Sequence, residues 1–212
     1  MTQQNPVKKQ ISRRTLAKGA AWSVPVVATA VAAPAATASP GPVQTYSAPI
    51  QMACKATAPL ALDLGTWDAT ISTQLPSSAA PGDQLNSPPI SADVTVPGSA
   101  TSAMSLVGAK NILSGTADST YSVSGAVVNG GSRTASLTVQ NTPIAVTGGQ
   151  PVNTTASGVG QGETAGPGTG SATVQVTGPI EIALVTDSAT SPNVAVTCTL
   201  AAPVTLASIP IN

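Results

Sequence analysis

The chain contains no histidine and no phenylalanine among its 212 residues, and only two cysteines, two tryptophans and two tyrosines. The missing histidine removes the commonest general base and the commonest metal ligand. A Ser-His-Asp triad is therefore excluded, and no G-x-S-x-G turn is present to carry a nucleophilic serine. Two cysteines without histidine are too few for a structural zinc site. The shortage of aromatics means that the core must be built from aliphatic side chains. Charge is also scarce, at 8% of residues, and no acidic residue precedes Asp63.

The positive charge is concentrated at the start. Lys8, Lys9, Arg13, Arg14 and Lys18 precede a small and apolar run from Gly19 to Ala33, interrupted by Pro25. That run is too short and too weakly hydrophobic for a transmembrane helix, which needs about 20 apolar residues. Ala36 and Ala38 occupy the two recognition positions of an A-x-A cleavage site, followed by Ser39-Pro40. Residues 1–38 therefore read as a cleavable signal peptide. Ser12, the pair Arg13-Arg14, Leu16 and Lys18 fit a twin-arginine signal, an address decoded by a receptor, better than an ordinary basic segment. The stretch from Arg13 to Trp22 resembles the leaders of secreted actinobacterial proteins. The partners expected from it are the twin-arginine translocase and a signal peptidase, and the expected destination is the cell envelope or the extracellular space.

Cleavage changes the charge. Three basic residues, Lys55, Lys110 and Arg133, then stand against all eight acids, a net charge of −5. Such a surface argues against nucleic acid, whose phosphates need basic neutralisation, and against docking to anionic lipid. No stable membrane span is expected in the mature chain.

Residues 39–50, rich in Pro, Ser and Thr, read as a linker. From Gln51 the pattern becomes that of short strands. Trp67, Ala69, Ile71, Thr73 and Leu75 alternate with Asp68, Thr70, Ser72 and Gln74. Ile90, Ala92, Val94 and Val96 alternate in the same way, and so do Ala172 to Val176, Ile180 to Leu184 and Val194 to Leu200. Residues 100–108 fit a short helix through Met104 and Val107. Asn129-Gly130-Gly131 predicts a hairpin turn, and the Gly-rich segment 158–170 reads as a mobile loop. Roughly eight or nine strands without a long helix predict an all-β sandwich or barrel over residues 51–212.

Cys54 and Cys198 both lie on the apolar phase of their strands. In an exported chain the simplest role for two such residues is one disulfide. A lipid anchor at Cys54 would need an apolar signal ending directly before it, and the apolar run ends about twenty residues earlier.

Candidate chemistry is sparse. Asp63 and Asp68 flank Trp67 and could form a hydrolytic carboxylate pair, although Asp68 falls on the polar phase of its strand. Trp67 could stack on a sugar, but its inward phase favours a core position. Asn153-Thr154-Thr155 matches a glycosylation sequon of little weight in a bacterial export substrate. No catalytic, cofactor-binding or metal residue is expected.

Several short motifs carry a family resemblance over most of residues 51–210. They are Cys54, Leu75-Pro76 closing a Thr/Ile strand, Leu106-Val107-Gly108-Ala109-Lys110 before Gly115, Thr142-Pro143, and Val196-Thr197-Cys198-Thr199-Leu200. In these the chain resembles the secreted two-cysteine β-sandwich domains of unknown function found in actinobacteria. The resemblance implies an immunoglobulin-like sandwich in an envelope or extracellular setting, and it supplies no catalytic residues. The expected function is a non-enzymatic exported module with a structural or adhesive role toward an envelope or extracellular ligand. The alternatives are a secreted hydrolase using carboxylates, or a carrier of a small molecule or lipid in a dry cavity.

Overall fold

Alternation along each strand separates one apolar face from one polar face, and the apolar faces meet in a single interior. The computed structural model describes residues 40–144 and 149–212. In chain order the described residues form β1 (Val43–Ala58), β2 (Leu62–Pro76), β3 (Gln84–Leu85), β4 (Pro89–Val96), α1 (Gly98–Leu106), β5 (Asn111–Gly125), β6 (Gly131–Val139), β7 (Thr142–Pro143), β8 (Val152–Val159), β9 (Glu163–Thr164), β10 (Gly170–Thr186), β11 (Asn193–Leu200) and β12 (Val204–Ile211).

Eight of these strands close on themselves. The hydrogen-bonded order runs β1-β2-β4-β8-β6-β5-β10-β11 and returns to β1, with every pair antiparallel. The all-β expectation holds. The immunoglobulin-like sandwich is not what the pairing gives, because no edge separates two sheets. The reason is strand length. β5 and β10 pair with each other from Ala172↔Gly125 to Thr186↔Ile112, while β5 also pairs with β6 and β10 with β11. Ladders therefore cross the boundary at which a sandwich would split, and closure removes the exposed edges.

β11 and β12 follow one another along β10. β11 faces Ile180–Val185 and β12 faces Gly170–Val176, and the break falls opposite Gly178, whose φ is +64°. β11 also pairs with Met52–Ala58 of β1. Beyond it β12 pairs with β10 and forms no ladder with β1, and a second apolar cluster of Leu75, Ala172, Ala207, Ile209 and Ile211 packs there, with the half-buried Tyr46 against it.

The stretch expected as a linker contributes Val43–Ile50 to β1, with Ala48 and Ile50 buried. The expected signal peptide, with Ser12, Arg13, Arg14, Lys18, Ala36 and Ala38, lies outside the described residues. Helix α1 begins two residues before the expected start, and Met104 is buried on it. Val107 lies past its end and is exposed, so the expected apolar pair is only half realised. Thr101 anchors the helix by donating to the carbonyls of Gly98 and Gln150. α1 covers the end of the barrel near Leu64 and Val96, and the β3–β9 ribbon covers the end near Leu75.

Candidate functional site

Cys54 and Cys198 stand directly opposite each other on β1 and β11, fully buried, and form a disulfide with a Cα–Cα distance of 4.1 Å. The bond crosses the seam that closes the barrel and links residues 144 positions apart.

Asp63 and Asp68 are not brought together. They sit five residues apart on β2, which is about 15 Å along a strand and too far for a hydrolytic pair. Asp63 accepts the backbone N–H of Gly65 at 2.8 Å and steadies the irregularity where Gly65 takes φ +81°. Asp68 accepts from Nε2 of Gln51 at 2.9 Å on the outer surface. Trp67 is 2% exposed and belongs to the core. Its indole N–H and the Ser105 hydroxyl are buried without a hydrogen-bond partner among the described residues.

One cavity of about 70 Å³ lies beneath the β3–β9 ribbon, lined by Ile71, Leu75, Ile90, Val123 and Ile209 among others. A second of about 50 Å³ adjoins it through Ile71, Ser119 and Leu137. Pockets for organic ligands begin at about 300 Å³, and neither cavity reaches that size.

The Gly-rich segment is more than a loop. It carries β9, which pairs with β3, and buries Glu163 and Ala165. Oε1 of Glu163 accepts from Nε of Arg133 at 2.9 Å and lies 2.8 Å from Nη2 of the same guanidinium. Arg133 also donates to the carbonyls of Asn129 and Ser132. The Tyr121 hydroxyl accepts the backbone N–H of Gln161 at 2.9 Å and ties the same segment to the barrel wall. The sequence signal for this clamp was slight: Glu163 is the one acid within 158–170 and Arg133 the one arginine after Arg14.

Asp187, read as neither a site nor a cap, organises the start of β5. It accepts the backbone N–H of Lys110 at 2.7 Å and of Asn111 at 2.9 Å, and the Asn111 amide at 2.7 Å. These bonds, led by that from Lys110, hold its carboxyl below the ordinary aspartate value.

One extended polar feature lies on the outside. Two cross-strand rows run over β1, β2, β4 and β8. Gln51, Asp68, Thr95 and Asn153 form one, and Pro49, Thr70, Asp93 and Thr155 form the next. All eight residues are exposed. Grooves of about 360 Å³ and 560 Å³ lie on these rows and share Thr70, Asp93 and Thr95. Gln140 and Asn141 border the larger groove. Thr95 donates to Oδ1 of Asn153 at 2.9 Å and orients both side chains. Neither groove is lined by a basic or aromatic residue.

Residues 53–207 match the model of a family of unknown function, DUF6801. The chain belongs to that family. The matched region runs from just before Cys54 to within β12, so the disulfide, the closed barrel apart from residues 43–52 of β1, and both outer rows apart from Pro49 and Gln51 are family territory. No curated protein and no solved structure matches this DUF6801 chain.

Proposed function

We propose that this DUF6801 protein is an exported, non-enzymatic module of the cell envelope or extracellular space, with a structural or adhesive role, and that its outer β1-β2-β4-β8 face is the working surface. The observation that carries this reading is the pair of adjoining grooves centred on Thr70, Asp93 and Thr95. They offer hydrogen-bonding side chains on a rigid scaffold, whereas the two adjoining interior cavities are small and largely apolar. A binding surface on strands is pre-organised, because the ladders fix the backbone and short side chains lose little freedom on binding. The buried disulfide supports an oxidising compartment, and the twin-arginine leader supplies the route to it.

Cosedimentation of the full-length chain with washed cell envelopes tests the reading. Saturable binding is expected, and it is expected to weaken in a Thr70→Lys variant, whose long side chain fills the shared part of the grooves. Failure of the unaltered protein to cosediment removes the adhesive role.

A further inference from the structure

We infer that the barrel interior binds a small neutral molecule with an unbranched alkyl tail and one oxygen, the oxygen meeting the Ser119 hydroxyl. This goes beyond the adhesive reading and makes no use of the outer face. The sequence sets the room available. An eight-stranded barrel encloses a space that side chains can just fill or that holds one small ligand. This chain has no phenylalanine. Six buried positions that line the two cavities are alanines, namely Ala69, Ala92, Ala117, Ala135, Ala156 and Ala172. Close-packed interiors leave few voids larger than a water molecule, yet here side chains leave about 70 Å³ and about 50 Å³ in adjoining places. That is less than an ordinary drug-sized pocket. It approaches the apolar cavity of about 150 Å³ that stays dry and takes up benzene.

Shape selects a chain over a ring. The cavities follow one another along the barrel. On β2 the cavity beneath the ribbon is lined by Ile71, Thr73 and Leu75, and its neighbour by Trp67, Ala69 and Ile71. On β5 the same division falls at Ser119, with Tyr121 and Val123 on one side and Ile112 and Ala117 on the other. Trp67 to Leu75 covers about 26 Å of strand, so the space is long and narrow.

Polarity places the oxygen. Ser119 is 8% exposed and lines both cavities, and its hydroxyl has no hydrogen-bond partner among the described residues. A buried hydroxyl without a partner is costly, and an oxygen on the ligand satisfies it. The other hydroxyl in the wall of the smaller cavity, that of Thr154, is already bonded to Thr142. The alkyl tail therefore belongs in that smaller, aliphatic cavity. No lysine or arginine lines either cavity, and the one carboxylate there, Glu163, is held by Arg133. A charged ligand would be desolvated without a counter-ion, so the ligand is neutral.

The experiment is an NMR titration of the full-length chain, methyl-labelled at Ile, Leu and Val, with hexanol, cyclohexanol and hexanoate. Hexanol is expected to shift Ile71, Ile112, Leu137 and Ile209 saturably, and more strongly than the other two probes. The exposed Leu60 and Leu106 are expected to stay unmoved. Ser119→Ala keeps the space and removes the hydroxyl, and it is expected to weaken hexanol about five-fold. No shift of the interior methyls overturns the inference, and so does an equal shift at Leu60 and Leu106, which would mean partition onto the surface. Equal binding of cyclohexanol overturns the unbranched tail, and equal binding of hexanoate overturns the neutral class. Unchanged affinity in Ser119→Ala overturns the contact with Ser119. Envelope cosedimentation does not bear on any of these outcomes, so the adhesive reading and this one stand or fall separately.

Discussion

Arg133 on β6 and Glu163 on β9 meet at 2.8 Å across thirty residues of chain, and Glu163 is buried at the contact. The pair fastens the Gly-rich segment over one end of the barrel. Arg133→Met leaves the Glu163 carboxylate buried without its cation, and a loss of about 2–4 kcal/mol is expected in urea unfolding. Arg133→Met combined with Glu163→Met is expected to recover much of that loss, since the stranded charge is gone. A single-variant loss below about 0.5 kcal/mol would show that the pair behaves as an ordinary surface contact.

The Cys54–Cys198 bond closes a loop of 144 residues. The chain-entropy relation assigns such a crosslink about 5 kcal/mol, and measured values are often lower. Cys54→Ala with Cys198→Ala is expected to lower stability by about 2–5 kcal/mol. Non-reducing peptide mapping is expected to recover the two cysteine peptides joined, and two free thiols would contradict the bond.

Asp187 links the β10–β11 turn to the start of β5 through three accepted hydrogen bonds. Its carboxyl is held below the ordinary value in the folded chain. It therefore contributes stability above the unfolded carboxylate's range, and that contribution is lost as pH falls through the folded value. Asp187→Asn is expected to melt at a lower temperature near neutral pH. The gap should close as the pH is brought below the folded carboxyl's titration. A gap independent of pH would mean that its charge plays no part.

Gly125 ends β5 at φ +90°, and a β-carbon there would lie 2.0 Å from the Ser171 carbonyl oxygen. Gly125→Ala must move β10 relative to β5, one of the two longest ladders closing the barrel. A cost of about 1–3 kcal/mol is expected from strain and displaced pairing. An unchanged melting temperature would show that this corner gives way without effect.

The proposed twin-arginine leader is tested independently of the barrel. Arg13→Lys with Arg14→Lys is expected to abolish export, because the twin-arginine receptor reads the pair and not charge alone. Mass spectrometry of exported protein is expected to find Ser39 at its N-terminus. Secretion unaffected by the double substitution would assign the chain to the general route.

Much of the strand content was legible from residue order alone. Trp67, Ala69, Ile71, Thr73 and Leu75 are all buried, as their alternation requires. Cys54 and Cys198 also share the inward phase expected of them. The candidate site was only half legible. Asp68, Thr70, Asp93 and Thr95 could be assigned to outer faces, but nothing local says that β2 and β4 are neighbours or that β8 lies beyond them. The part played by Glu163 was hidden because glycine-rich sequence carries no periodicity. Its burial comes from a partner thirty positions away.

Local order thus determined which side chains turn inward, that the core is aliphatic and that histidine-dependent chemistry is excluded. Alternation encodes a face and says nothing of a neighbour. Whether the strands stack as two sheets or close into one depends on how far β5 and β10 run beside each other, and on β11 pairing with β1. Those are long-range pairings between segments distant in the chain. They emerge only when every apolar face competes for the same enclosed volume.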